Sequence, residues 1–325
     1  MGLLNTKQDI NDFIKTSVLE LREKVAGKKV LCGLSGGIDS AVTASLIHLA
    51  DPNSLVCIFI DHGLMRKGEV DEIIRIFRDG WEMNLITVDA SKRFAAALKH
   101  VSEPERKRKI IGEQFIRVLE AEVRKLGKAD FLAQGTIYAD VLQDQKHRPR
   151  VNIKTEYKVS QMTDAHSFEG ILEPLKTLYK DDVRKVATAL GLPREVVYRQ
   201  PFPGSGLGVR IIGEITPQKV EIVREADAIF REEIKRAKLE YKVFQHFAIL
   251  THTLSTGLDK DGQRKYGHTV CLRAVNTTDG NSADWSKIPY RVLEKTSARI
   301  VDEIDDVVRV VYDITTKPPA TIEWE

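Results

Sequence analysis

The residues with the clearest chemical content form a six-residue run, SGGIDS, at positions 35–40. Ser35 and Ser40 carry hydroxyls that can donate to phosphate oxygens. Gly36 and Gly37 let the backbone approach a ligand closely and adopt positive φ. The run follows an apolar stretch, KKVLCGL (28–34), that reads as a strand, and it opens a helical stretch over 39–50. A loop so placed aims free backbone N–H groups and the positive helix end at one point, which makes an anion cradle. The spacing is neither G-x-x-x-x-G-K-S/T nor G-x-G-x-x-G. Its unusual member is Asp39, because a carboxylate facing pyrophosphate repels it unless a divalent cation stands between them. Mg²⁺ prefers such a shell of carboxylate plus phosphate oxygens. The loop therefore reads as a holder for Mg²⁺-pyrophosphate, with ATP cut between its α- and β-phosphates and an adenylate formed.

Three further apolar runs must help position this loop: LVCIFID (55–61), NLITVD (84–89) and DFLAQGT (130–136). Helical stretches at 68–79, 105–126 and 180–190 alternate with them, which predicts an α/β fold with a doubly wound parallel sheet. In such sheets ligands bind at the carboxyl ends of the strands, where SGGIDS, Asp61 and QGT (134–136) all fall. The Pro- and Gly-rich QPFPGSGLG (200–208) breaks the alternation and predicts a junction, giving domains 1–200 and 201–325. After it come a strand at VRIIGEI (209–215), a helix over 216–238, and strands at FAILTH (247–252) and TVCLRAV (269–275). A helix over 289–304 and a last strand, VVRVVYDIT (307–315), complete a smaller α+β domain of β-α-β-β-α-β order.

Composition narrows the classes. A net charge of +3 over 325 residues offers no general attraction for nucleic acid or membrane. The basic run RKRK (106–109) reads as a solvated face. No apolar stretch reaches the ~20 residues of a membrane span, and the N-terminus has no signal-peptide core. Cys32, Cys57 and Cys271 form no C-x-x-C pair and read as buried thiols in a reducing, cytoplasmic setting.

SGGIDS in this strand–helix context resembles the loop of the N-type ATP pyrophosphatase superfamily, whose fold is of the adenine nucleotide alpha hydrolase type. IFIDHGLMRKGE (58–69), RKIIGEQFI (108–116), QGTIYADV (134–141), EPLKTLYKDDVRKVATALGLP (173–193), YRQPFPGSGLGVR (198–210) and KPPATIEWE (317–325) resemble the GMP synthetase family. The resemblance implies that Ser35, Gly36, Gly37, Asp39, Ser40, Asp61 and Gly135 bind ATP. It implies that Arg108, Pro203, Gly204, Lys317, Ile322 and Glu323 bind xanthosine monophosphate (XMP). Asp39 and Asp140 are the implied magnesium contacts, and Asp39 and Lys154 the implied catalytic residues. Lys317 suits a phosphate, Arg108 is a forked donor, and Glu323 can accept from base N–H groups. The implied reaction starts with attack of the base O2 on the α-phosphorus, releasing pyrophosphate. Ammonia then displaces AMP from C2 to give GMP.

Only 34 residues precede Ser35. Ammonia is therefore expected free or from a separate glutamine amidotransferase subunit, and a homodimer is expected through the C-terminal domain. The sequence departs from the family at TEYKV (155–159) after Lys154, at Ser205, and at LDKDGQRKYGH (258–268) with NSADW (281–285). These departures leave open an alternative, a divergent paralogue that adenylates and aminates another nucleotide or small acceptor.

Overall fold

The computed structural model describes residues 2–127, 129–145, 168–259, 261–278 and 280–325. The first helix, α1 (Lys7–Val25), starts at Thr6, whose hydroxyl accepts from Asp9 N–H at 3.1 Å. Asp9 accepts in return from Thr6 N–H at 2.8 Å, a reciprocal capping box that satisfies two orphan donors. Strands β1 (Val30–Gly33), β2 (Leu55–Asp61), β3 (Leu85–Asp89), β4 (Phe131–Ala133) and β5 (Gly170–Leu172) form one parallel sheet in the order β3-β2-β1-β4-β5. Six of the seven β2 residues are buried, as a strand covered on both faces requires. Between the strands lie α2 (Ile38–Ala50), α3 (Glu69–Ile73) with a wider turn at Ile74–Gly80, α4 (Ser91–Leu98), α5 (Pro104–Leu126) and α6 (Tyr138–Gln145). Helices α7 (Lys180–Ala189) and α8 (Arg194–Val197) follow β5.

The strand order has a functional consequence. The chain runs outward from β1 to β2 and β3, then returns to place β4 on the other side of β1. This reversal is the topological switch point, where open α/β sheets hold their ligands. The loops after β1 and β4, SGGIDS and QGT, leave its carboxyl edge.

Beyond residue 200, a tight 3-10 turn (Gly206–Arg210) leads to α9 (Pro217–Arg236), capped by the Thr216 hydroxyl. Long strands β6 (Gln245–Leu258) and β7 (Arg264–Asn276) pair antiparallel. The short β8 (Asp284–Trp285) adds antiparallel to β7, α10 (Tyr290–Glu303) follows, and β9 (Val307–Asp313) lies parallel to β7. Phe247, Ile249 and Cys271 form a buried cluster on which Ile212 and Ile322 pack.

The strand expected over 209–215 is absent as an element. Gly206 to Ile211 are consecutively buried, which a coiled turn permits and an alternating strand does not. Only Ile211 keeps a single bridge, to Leu250. Contacts divide the chain into two compact units: 1–62, 68–90 and 112–199 in one, and 63–67, 91–111 and 200–325 in the other. No helix among the described residues is long and apolar enough to cross a membrane.

Candidate functional site

In the first unit the loop is braced by its own hydroxyls. Ser35 Oγ and Ser40 Oγ lie 3.1 Å apart, and Ser35 N–H donates to Ser40 Oγ at 3.2 Å. Ser40 Oγ donates to the Gly37 carbonyl at 3.0 Å, and Gly37 N–H reaches Ser35 Oγ at 3.4 Å. Gly36 has φ of 76°, and a Cβ there would sit 2.9 Å from Ile73 and 3.0 Å from the Arg199 guanidinium. Gly37 caps α2 without a side-chain bond, and Ala41 N–H closes the first helical turn on the Gly37 carbonyl at 3.1 Å. The amides ahead of Ala41 belong to the helix end, where anions are bound.

Asp39 lies in the first turn of α2 and is only 8% exposed. Both its oxygens accept from Lys180 Nζ at 2.8 Å. Lys180 opens α7, so its ammonium supplies the positive charge that the buried carboxylate needs. Gly135 belongs to this same cradle: a Cβ there would meet the Asp39 carbonyl carbon at 2.7 Å and Ser40 N at 2.8 Å. Only a glycine lets the loop after β4 pass so close to the start of α2. Next to it, Thr136 donates to Glu173 at 2.6 Å. Asp61 ends β2, and its carbonyl accepts from Ala90 N–H at 2.8 Å. Asp140 accepts from Ile137 N–H at 3.0 Å and so caps the start of α6. Lys154 lies outside the described residues.

For magnesium, the donor set is the relevant test. Among the described residues no three His, Cys, Asp or Glu side chains gather into a metal cage. Asp39 instead places hard carboxylate oxygens, both already bonded to Lys180, beside a phosphate cradle. That donor set fits Mg²⁺, which takes one or two carboxylates and completes its shell with phosphates and water.

The candidate acceptor residues all lie in the second unit. The segment 314–325 has no helix or regular strand, yet three buried cations hold it. Arg273 donates to the carbonyls of Ile322 (2.8 Å), Thr321 (2.8 Å) and Thr315 (3.0 Å), and to Asp313 (2.6 Å). Arg210 grips the Glu323 carboxylate with Nε at 3.1 Å and Nη2 at 3.0 Å. Lys107 pairs with Glu325 and donates to the Ile211 carbonyl at 2.6 Å. Burial pushes the Lys107 ammonium below its ordinary range, and Glu325 beside it acts in the opposite direction.

Gln245 adds a third donor to Glu323 at 2.8 Å. Lys317 donates to the Gly280 carbonyl at 2.6 Å and pairs its backbone with Ala283. Ile322 packs on the Phe247 cluster. The Pro203 carbonyl accepts from Gly206 N–H at 2.9 Å, turning the chain around Gly204. Arg108 is paired with Glu105 on its own helix.

Sequence reasoning missed several residues. Lys180 stands inside EPLKTLYKDD without a local sign that it answers Asp39. Arg199, bound to Glu69 and Glu72 at 2.9 Å each, braces the loop at Gly36 from across the unit. The basic run at 106–109 is not uniformly a solvated face, because Lys107 is fully buried. Its partner stands 218 residues away, so no local pattern could reveal it.

Two family models match separate parts of the chain. Residues 232–324 match the GMP synthase C-terminal domain family, and residues 6–115 match the NAD synthase family. A GMP synthase (glutamine-hydrolyzing) of Clostridium tetani is 54% identical over 316 residues, which is 97% of this chain and 61% of that protein. The one from Acetivibrio thermocellus is 55% identical over 313 residues, 96% of this chain and 61% of that protein. The chain thus spans about three fifths of the length of these curated relatives. Among solved structures, NMN synthetase from Francisella tularensis matches with a TM-score of 0.46 and 14% identity, covering 72% of this chain and 93% of that one. By these matches, the N-terminal part of the chain is similar to the NAD synthase family and its C-terminal part to the GMP synthase C-terminal domain.

Proposed function

We propose that the protein is a ligase that aminates XMP to GMP at the expense of ATP, releasing AMP and pyrophosphate. The observation that carries the reading is Asp39: a buried carboxylate, matched by Lys180, inside a loop otherwise built to hold phosphate. Such a loop suits a leaving pyrophosphate better than a transferred γ-phosphate. GMP synthases at 54% and 55% identity over nearly the whole chain support the choice of acceptor.

In this mechanism the α2 amides, Ser35 and Ser40 hold the phosphate oxygens, and the Lys180 ammonium adds positive charge where negative charge accumulates on the leaving group. Gly36, Gly37 and Gly135 allow the close approach, and Asp61 flanks the nucleotide. Mg²⁺ would be held by Asp39 with Asp140, and when bound it neutralises charge on the phosphates. In the second unit, Lys317 and Arg108 take the XMP phosphate. Glu323 accepts from the base N–H groups, with Pro203, Gly204 and Ile322 around it. Orienting the acceptor base O2 in line with the α-phosphorus supplies most of the acceleration, because nucleotidyl transfer leaves little covalent work for side chains. The family resemblance implies a catalytic role for Lys154, which lies outside the described residues.

The nitrogen donor is ammonia, free or delivered by a glutaminase. The protein works in the cytoplasm as a homodimer paired through its C-terminal unit. Exposed apolar residues on that unit, Leu258 (64%), Tyr266 (70%) and Ile314 (61%), support the pairing. The test is an assay of protein, Mg²⁺-ATP and ammonium with XMP, reading pyrophosphate and GMP. Joint appearance of both supports the proposal, and turnover only with a different acceptor refutes it.

A further inference from the structure

One fully buried side chain, Arg210, touches both elements assigned to the acceptor. Its Nε and Nη2 take the two oxygens of Glu323 at 3.1 and 3.0 Å. Its guanidinium carbon lies 5.2 Å from the Phe202 ring centroid, in the turn that carries Pro203 and Gly204, and 4.2 Å from that of Phe247. Arg66 lies over the same Phe202 ring at 4.2 Å. The remaining charge is balanced from behind: Arg210 Nη1 reaches Asp227 at 3.4 Å, and Arg231 holds the other Asp227 oxygen at 2.9 Å.

We propose that Arg210 is the positioning residue of the acceptor site, setting the plane of the Glu323 carboxylate and fixing the Phe202–Gly204 turn to the tail. The inference rests on the reading of Glu323 as the group that accepts from the base. A guanidinium offers two parallel donors in one plane, so its grip orients a carboxylate as well as attracting it. The Phe202 and Phe247 rings fix that plane through cation–π contact. An ammonium at the same place keeps the charge but has no fork. Glu323 could then rotate about its own axis, and the base would meet a misdirected acceptor. Asp227, already shared with Arg231, keeps a cationic partner in either case.

The test is Arg210→Lys, alone and combined with Glu323→Gln, with steady-state constants for both nucleotides. Arg210→Lys should raise KM for XMP about tenfold, the scale of one lost charge-assisted hydrogen bond. KM for ATP and kcat should change less than about twofold. In the Glu323→Gln background the same change should add almost nothing, because Arg210 acts through that carboxylate. An unchanged KM for XMP, an equal rise in KM for ATP, or effects that multiply in the double variant would overturn the inference. Should Arg210→Lys not fold, Phe202→Leu keeps the ion pair and removes the stacking. It should raise KM for XMP about threefold, and no change would overturn the inference equally. Wild-type protein that turns over ATP only with another acceptor removes the XMP reading itself. Wild-type turnover of XMP with an indifferent Arg210→Lys removes this inference alone.

Discussion

The phosphate loop and the C-terminal tail are both irregular segments that carry candidate ligand groups, but they are held in opposite ways. Residues 35–40 hold themselves: Ser35, Gly37 and Ser40 bond to one another across at most five positions. The loop's long-range tie from Lys180 to Asp39 is made by a lysine that remains 40% exposed, and Arg199 braces the loop at Gly36. The tail also bonds to itself, with Ala320 N–H on the Thr316 carbonyl at 3.0 Å and the Thr316 hydroxyl on the Pro318 carbonyl at 2.9 Å, but it adds buried long-range ties. Arg273, Arg210 and Lys107 grip it from positions 49, 113 and 218 residues away, and all three are fully buried. A loop of the first kind can be altered chemically with little loss of fold. A tail of the second kind ties its ligand groups to the stability of its unit.

That contrast can be broken most severely at Arg273. Arg273→Met leaves Asp313 and three carbonyls without their buried donor, and should destabilise the protein by about 3–5 kcal/mol. Thermal or urea unfolding reads this directly, and a loss under 1 kcal/mol would show that the tail is not held as described. Asp39→Asn is the counterpart in the loop. It should lower pyrophosphate release on the order of 10²–10³-fold while the thermal midpoint stays near that of wild type. A protein that unfolds instead would make Asp39 a structural residue.

These two residues also mark how far the sequence could be read. The loop, its strand and helix, and the place of Asp39 are legible because neighbours in the chain are neighbours in space. Strands β1 to β4 announce themselves as apolar runs between turn residues for the same reason. Lys180, Arg199 and Lys107 are not legible, since what defines each is a carboxylate or carbonyl that folding brings from far along the chain. The segment 209–215 shows the same limit: VRIIGEI has strand-like residues, but Arg210 must turn inward to meet Glu323 and Asp227. Consecutive burial then replaces alternation.

Smaller effects sharpen the comparison. Gly135→Ala places a Cβ against the backbone of Asp39 and Ser40, at 2.7 and 2.8 Å. Displacing the cradle in this way should cost about 10²-fold in kcat/KM for ATP, with KM for XMP hardly changed. An active variant with wild-type constants would contradict the close approach.

The last effect is absent at neutral pH and appears only on acidification. Burial pushes His246 down to about 3, with Asp227 opposing and Arg66, Arg231 and Arg210 assisting. Its folded value is below the unfolded one near 6.5, so the unfolded chain binds the proton first as pH falls. Stability present above about pH 6.5 is therefore lost on acidification through the window from 6.5 toward 3, by up to about 1.4 kcal/mol per pH unit. His246→Met should flatten that part of the unfolding profile, and an unchanged slope would exclude His246 as its source.

If the loop around Asp39 holds a leaving pyrophosphate, as proposed, ATP is cut between its α- and β-phosphates. Phosphorus NMR of the products formed from Mg²⁺-ATP, ammonium and XMP tests it most directly. Equal amounts of AMP and pyrophosphate, matched by GMP, are expected. ADP and inorganic phosphate as the products would contradict it.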